Sequence, residues 1–334
     1  MKRKFIYHLL AGLCLFLVLQ GCTKAPNGYL SSYIYYNQYV VVVPRGLTFA
    51  SFNNNIIDGG STPPFNIRMT HVYDSATGKL VDSIFLKKYP GWIWTGQYLP
   101  FLDSTPDMVN AIRQQTEAPA IGLNSAGGRL EATPSSTNLP LGTYYFDMEV
   151  SNPAGTKTFP RVGSFQIVDP PAYNGPDNIT NYLRSVTDDS NPFNGKTPMV
   201  TVTKTDPGSN QRTVVLKIVD KNGKPFNPAA GEVIQETVPS GATFYPTLRN
   251  YAVGVTTTDS TLSYPFPVTP FPYFEASGIY TSNATSVYYR IPTQFLVFDK
   301  YASNKYNANI RFRINFNING TYLIVIQLPD VTHS

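Results

Sequence analysis

Residues 308–328, ANIRFRINFNINGTYLIVIQL, restrict the fold more than any other stretch of the chain. Ile310, Phe312, Ile314, Phe316 and Ile318 recur at a strict spacing of two, with Arg311, Arg313, Asn315 and Asn317 between them. Only a strand sends alternate side chains to opposite faces, so this segment needs a sheet with one buried and one wetted face. Asn319-Gly320 is a two-residue turn signal, and Tyr322 to Leu328 resumes the run. The expectation is a β-hairpin.

The same period recurs upstream. YIYYNQYVVVV at 33–43 reads as a first strand that stops at Pro44. Phe65, Ile67, Met69 and Val72 alternate, DSATGK at 74–79 is a turn, and LVDSIFL at 80–86 reads as the returning strand. MVTVTKT at 199–205 and RTVVLKIVDKNGKPF at 212–226 alternate as well, the second around Asn222-Gly223. Two segments read as helical. In STPDMVNAIRQQ at 104–115, Thr105 can cap, Pro106 fits the first helical position, and Met108, Ile112 and Val109 form a stripe. In DNITNYLRSV at 177–186, Ile179, Tyr182, Leu183 and Val186 fall at helical spacing. The 23 Tyr, 20 Phe, 28 Pro and 24 Gly point the same way, to short β-rich elements separated by frequent turns. No repeat of about 20–50 residues is present, which excludes a solenoid.

The N-terminus carries an address. Lys2, Arg3 and Lys4 precede FIYHLLAGLCLFLVLQG, a charged start and an apolar middle in the layout of a secretory signal. The stretch ends at Leu19-Gln20-Gly21-Cys22, which resembles the bacterial lipobox. The resemblance implies cleavage after residue 21 and a diacylglycerol thioether on Cys22. Each buried acyl methylene contributes about 0.8 kcal/mol, so two or three chains hold a domain on a membrane. Residues 22–28 then read as a tether. With Lys2, Arg3 and Lys4 removed, 23 basic against 21 acidic residues leave +2 in place of +5, which is no footprint for nucleic acid. Cys14 leaves with the signal and Cys22 is acylated, so no disulfide and no cysteine metal site is expected. No cofactor is expected either.

Residues 138–168 specify the first domain. Tyr144, Phe146, Met148 and Val150 alternate, Asn152-Pro153-Ala154-Gly155 turns, and Phe165 and Ile167 resume. The "G-T-Y" strand followed by "F-x-I" resembles the last hairpin of an immunoglobulin-like sandwich. Asp169-Pro170-Pro171 reads as a boundary. The fold class expected is mainly β: an immunoglobulin-like sandwich over 29–170, then a second β-sandwich-like domain over 171–334, with one or two short helices.

Two aromatic groups are candidate binding surfaces. Trp92 and Trp94 stand two apart in PGWIWTGQY, with Tyr98 nearby; in a strand both indoles face one way, as a platform for sugar C–H faces or as a plug for one end of a core. YPFPVTPFPYF at 264–274 sets Tyr264, Phe266, Phe271 and Tyr273 among four prolines. It reads as an extended loop whose aromatics are exposed for binding or packed as a collar on the other domain. Acid–base chemistry is sparse. His71 is the one histidine expected to be structured, no G-x-S-x-G accompanies it, and the six glutamates offer only Glu232 and Glu236 as a pair on one strand. Asp188-Asp189 and Asp220-Lys221-Asn222-Gly223 read as turns in place of calcium loops. No catalytic and no metal-ligating residue is assigned.

The lipobox, YLSSYIYY at 29–36, DGGSTPP at 58–64 and the β-rich second half resemble uncharacterised Bacteroidota outer-membrane lipoproteins associated with starch-utilisation-type uptake systems. The resemblance implies an outer-membrane protein that captures polysaccharide or oligosaccharide beside a TonB-dependent transporter and its partner lipoprotein. Thr23-Lys24-Ala25-Pro26 replaces the acidic run of surface-exported members, which leaves both faces of that membrane open. A fimbrillin-like adhesin subunit is the alternative, with Arg45-Gly46 as a cleavage point and 39–43 as the removable strand. A glycan-active enzyme ranks third.

Overall fold

A computed structural model describes residues 28–37, 40–51, 56–96, 99, 102–103, 105–206, 210–237, 245–272 and 286–334. Strands account for 49% of it and helices for 9%, which makes the fold mainly β and of sandwich type, with two short helices. The chain divides into two compact units. One comprises the chain up to Arg45, Phe49–Tyr89 and Ala118–Val168; the other comprises Gly46–Thr48, Pro90–Glu117 and Asp169–Ser334.

In the first unit a four-stranded sheet runs in the order Val41–Pro44, Gly155–Val168, Gly142–Asn152, Asn66–Asp74. Its pairs are antiparallel except the first: Val41–Pro44 lies parallel to Phe165–Val168. The hairpin expected over 142–168 is present, from Gly142↔Ile167 to Asn152↔Gly155. A register shift between Phe146 and Met148 buries Asp147 beside them. Its carboxylate accepts the Arg161 N–H at 2.7 Å and the Tyr73 hydroxyl at 3.0 Å, so the bulge is hydrogen-bonded on both sides. Tyr144, Phe146, Met148, Val150, Phe165 and Ile167 form a core with Ile121 and Leu130 of a small second sheet, Phe49–Ala50, Leu130–Ala132, Ile121–Leu123.

The strand expected over 80–86 is a helix, Asp82–Phe85. Pairing with Asn66–Asp74 ends where Val81 N–H donates to Val72 O. Beyond that point the Asp82 carboxylate takes the Val72 N–H at 2.7 Å, a side chain standing where the next strand's backbone would be. The turn then puts Phe85 into the core, 4.3 Å from the Tyr144 ring. The second helix, Pro106–Ala111, is capped as read: Thr105 Oγ1 accepts the Met108 N–H at 3.3 Å. Its buried residue is Val109, while Met108 is exposed, and the chain leaves into strand Arg113–Pro119 in place of a last helical turn.

The second unit pairs two five-stranded sheets. One runs Phe193–Asn194, Tyr173–Ser185, Tyr306–Phe316, Val287–Ile291, Ile234–Gln235; the other runs Met199–Lys204, Gly320–Gln327, Arg212–Val219, Leu262–Pro265, Thr256–Thr257. The expected C-terminal hairpin is therefore an arch. Tyr306–Phe316 and Gly320–Gln327 are both strands, but they belong to opposite sheets. Each has one apolar face, and the arch turns the two faces together: Ile310, Phe312, Ile314 and Phe316 pack in one core with Tyr322, Ile324 and Ile326. Phe316 and Tyr322 meet at 4.2 Å across the bend. Fully burying side chains of this size contributes about 1.5–3 kcal/mol each, enough to fix the bend without cross-strand hydrogen bonds.

The segment expected as a connecting helix, 177–186, is strand in all but its last residue, within Tyr173–Ser185 paired with Tyr306–Phe316. Register shifts at Asn174/Asp177 and Asp177/Thr180 add residues to this strand. Each added residue moves the apolar positions off period two, which is how a bulged strand imitates helical spacing. Asn222-Gly223 does turn the chain, but its returning arm is a single bridge, Val219↔Pro225.

Both units use one local device. Gly142-Thr143-Tyr144 and Gly320-Thr321-Tyr322 each open an edge-to-core strand, and each tyrosine hydroxyl donates to a carbonyl four residues back: Tyr144 to Pro140 at 3.1 Å, Tyr322 to Ile318 at 2.9 Å. This is the tyrosine corner of sandwich folds, which fixes the angle at which a chain enters a sheet.

Candidate functional site

Lys88–Trp94 and Arg113–Pro119 pair as a two-stranded ribbon. Trp92 on it is 43% exposed, so it does not plug a core. The helix Pro106–Ala111 delivers Asn110, whose Oδ1 accepts from Arg113 Nε at 2.9 Å and Nη2 at 2.6 Å. That fork holds the guanidinium 4.2 Å from the centre of the Trp92 ring. A planar cation over an indole face is attracted by the ring quadrupole and keeps the ring from rotating. Burial, and then repulsion from Arg212, lowers the Arg113 pKa. Gln114, Gln115 and Glu117 are exposed on the paired strand, and Ile93 is exposed beside Trp92. The site is thus an exposed indole under a guanidinium, with Gln115 and Glu117 at alternate positions from Arg113 on the same strand face. Trp94 ends the same strand. Tyr98, Tyr273 and Cys22 lie outside the described residues.

The proline-rich candidates are corrected. Tyr264, Phe266 and Phe271 are buried in the core of the second unit, so no ligand reaches them. Phe271 stacks between Phe266 at 5.3 Å and Phe316 at 5.1 Å. Its backbone exchanges two hydrogen bonds with Phe316, at 3.0 and 2.6 Å. Tyr264 belongs to strand Leu262–Pro265, and its hydroxyl meets that of Tyr289 at 3.3 Å. A loop can bury aromatics when it is tied to sheets, and this one is held at Tyr264 in a strand and at Phe271 by a bridge to Phe316.

Acid–base groups are dispersed among ion pairs. His71 Nδ1 lies 2.8 Å from Asp82 Oδ2. His333 is structured, against expectation: it ends strand Val331–His333, its Nε2 lies 2.8 Å from Glu232 Oε2, and its ring lies against Phe226. Glu236 pairs with Arg184 at 2.7 Å, so Glu232 and Glu236 serve different partners. Asp188 caps a turn through Ser190 and Asn191. Asp220 accepts the N–H groups of Asn222, Lys224 and His333. Among the described residues no group of three or more His, Cys, Asp or Glu is placed to hold a metal ion. The role of Arg113 gave no sequence signal, because it stands twenty-one residues from the ring it covers.

Comparison with protein-family models, with curated proteins and with solved structures found no match for the chain.

Proposed function

We propose that this chain is a lipid-anchored envelope protein that captures glycan at the outer membrane for a TonB-dependent transporter and its partner lipoprotein. The observation that carries the reading is Trp92, 43% exposed and held by Arg113 at 4.2 Å. Sugar C–H groups are weakly positive and settle on the negative face of an aromatic ring. A ring already fixed loses little freedom on binding, so stacking there is less opposed by ordering entropy. Gln115 and Glu117, at alternate positions from Arg113 and so on its face of the strand, offer hydroxyl partners. The lipobox at Leu19–Cys22 supports the address. The test is affinity electrophoresis of protein starting at Thr23 through gels containing single polysaccharides, beside Trp92→Ala and the Trp92→Ala, Trp94→Ala double variant. Retardation by at least one polysaccharide, lost in the variants, is expected. No retardation anywhere, or the same retardation in the variants, sinks the reading.

A fimbrillin-like subunit is the second reading, favoured by Val41–Pro44. This strand lies parallel on Phe165–Val168 and buries Val41 and Val43 completely, so its removal would open a groove for a strand from another copy. The Arg45 N–H donates to Val168 O at 2.9 Å, so the pairing continues past the arginine and a cut there requires the strand end to open. An arginine-specific protease followed by size-exclusion chromatography decides it: polymers of cut protein support this reading, and an uncut monomer excludes it.

A further inference from the structure

The N-terminal segment of the first unit carries tyrosines that its core does not use. Over Tyr33 to Tyr36 the chain alternates, with Ile34 and Tyr36 buried and Tyr33 and Tyr35 turned out, 83% and 53% exposed; Tyr29 is 55% exposed. Tyr35 stands opposite Ile57 in a short antiparallel pair. Directly opposed residues share a face, so Ile57, also exposed, extends the same apolar side. Lys157 Nζ donates to Leu30 O at 2.7 Å and Ser32 Oγ at 2.8 Å, which fixes a positive charge on the same segment with neutral partners.

The backbone beneath these rings is clamped. Tyr29 N–H donates to Thr62 Oγ1 at 3.1 Å, Thr62 N–H and Asn152 Nδ2 donate to Tyr29 O at 2.8 and 2.9 Å, and Ser31 N–H donates to Ser61 Oγ at 2.9 Å. The clamped backbone includes Tyr29, seven residues after Cys22. Seven residues span at most about 25 Å even when fully extended. An acyl anchor at Cys22 keeps this end of the unit within that distance of the bilayer.

We infer that Tyr29, Tyr33 and Tyr35, with Ile57 and Lys157, rest on the lipid headgroups of the anchoring membrane as a second, non-covalent contact. The inference depends on the acylation of Cys22 read from the lipobox. Tyrosine suits the interface because its ring is apolar and its hydroxyl is wet, and lysine is attracted to anionic headgroups. The short tether favours lipid over sugar as the occupant of this face.

The test uses full-length lipoprotein purified from membranes, with the mass of its N-terminal peptide read first. Acylated protein in phosphatidylethanolamine–phosphatidylglycerol vesicles and a Cys22→Ser variant in solution are nitrated with tetranitromethane. Tyrosine modification is then quantified peptide by peptide, with Tyr145, exposed on a sheet strand, as the reference. Several-fold slower nitration of Tyr33 and Tyr35 on vesicles, with Tyr145 unchanged, is expected. Unchanged rates on acylated protein, equal slowing of Tyr145, or slowing only when polysaccharide is added would each overturn the inference. An unacylated Cys22 removes the anchoring reading itself, and this inference with it.

Discussion

Arg184 Nε lies 2.7 Å from Glu236 Oε1, with the two side chains 9% and 2% exposed. The pair is the centre of a charged network. Arg184 Nη1 donates to Asp189 O at 2.6 Å, the Asp189 carboxylate accepts from Arg290 Nη2 at 2.9 and 3.1 Å, and Arg290 Nε donates to Asn309 Oδ1 at 2.7 Å. Among the described residues Glu236 Oε2 has no hydrogen-bond donor. Burial raises the Glu236 pKa, and attraction to Arg184 and then Arg290 only partly offsets it. The two partners are therefore unequal. Arg184→Met strands a buried carboxylate and should cost about 3–5 kcal/mol. Glu236→Gln supplies a neutral group of the same shape and should cost about 1 kcal/mol. The pH dependence has a definite sign. Below the ordinary glutamate value the carboxyl is protonated in folded and unfolded chains alike, and the stability tied to the neutral form is fully present. As pH rises through that value and then the raised one, the folded state must ionise a buried group, so the stability of wild type relative to Glu236→Gln falls. Urea unfolding of both proteins from about pH 4 to pH 7 measures it.

Two buried phenols predict an alkaline limit. Burial pushes Tyr264 and Tyr322 from 10.0 up to about 12, with Asp206 adding to the second. A raised folded pKa means that the fold holds the protonated form. Stability from these groups is complete below about 10 and is lost as pH rises from there through 12. Phenolate absorbance and circular dichroism recorded together should show the last tyrosines ionising only as the β signal collapses. Tyr322→Phe also removes the bond to Ile318 O and should cost about 1–3 kcal/mol, because that carbonyl loses its donor at the arch.

Asp82 substitutes for a strand, and its removal should show where. Asp82→Ala leaves the fully buried Val72 without an acceptor for its N–H and should cost about 1–3 kcal/mol. Hydrogen exchange localises the effect: the Val72 amide should lose protection while amides in Tyr306–Phe316 keep theirs. Asp82→Asn retains an acceptor oxygen and should preserve most of the protection.

Alternation was sufficient to find regular strands, as at Met199–Lys204 and Tyr306–Phe316, and strands whose bulge leaves the apolar positions on period two, as at Gly142–Asn152. It could not say which strands share a sheet. Ile310 to Phe316 and Tyr322 to Ile326 look the same in a hairpin and in an arch, since either buries one face of each. Nor could it follow Tyr173–Ser185, whose bulges displace Ile179, Tyr182 and Leu183 from period two. The Val72–Asp82 bond is a tertiary contact that overrides a local β pattern. At the candidate site, Trp92 was legible as an unusual residue, but its exposure was not. Tyr264, Phe266 and Phe271 were misjudged because a proline-rich run was read as a loop with exposed aromatics, while Tyr264 lies in a strand and Phe271 bridges to Phe316.

The bulge that hid this strand also makes a graded prediction. Gly175 has φ +90°, and a Cβ there would stand 2.7 Å from the Arg313 carbonyl and 3.2 Å from the Asp177 N. Both neighbours are backbone, and Arg313 is tied to Asp177 by side-chain bonds of 2.6 and 3.1 Å, so neither can move freely. Gly223 in the Asp220 turn has φ +84° but nothing within 4 Å of a Cβ. Gly223→Ala therefore meets only the left-handed penalty of about 1–2 kcal/mol. Gly175→Ala meets the same penalty and a clash with the partner strand, and should cost clearly more. Gly223→Asn, which tolerates this conformation, should cost less than Gly223→Ala. Urea midpoints for the three variants give the order; equal losses at 175 and 223 would mean that the two strands approach less closely at Gly175 than the 2.7 Å distance requires.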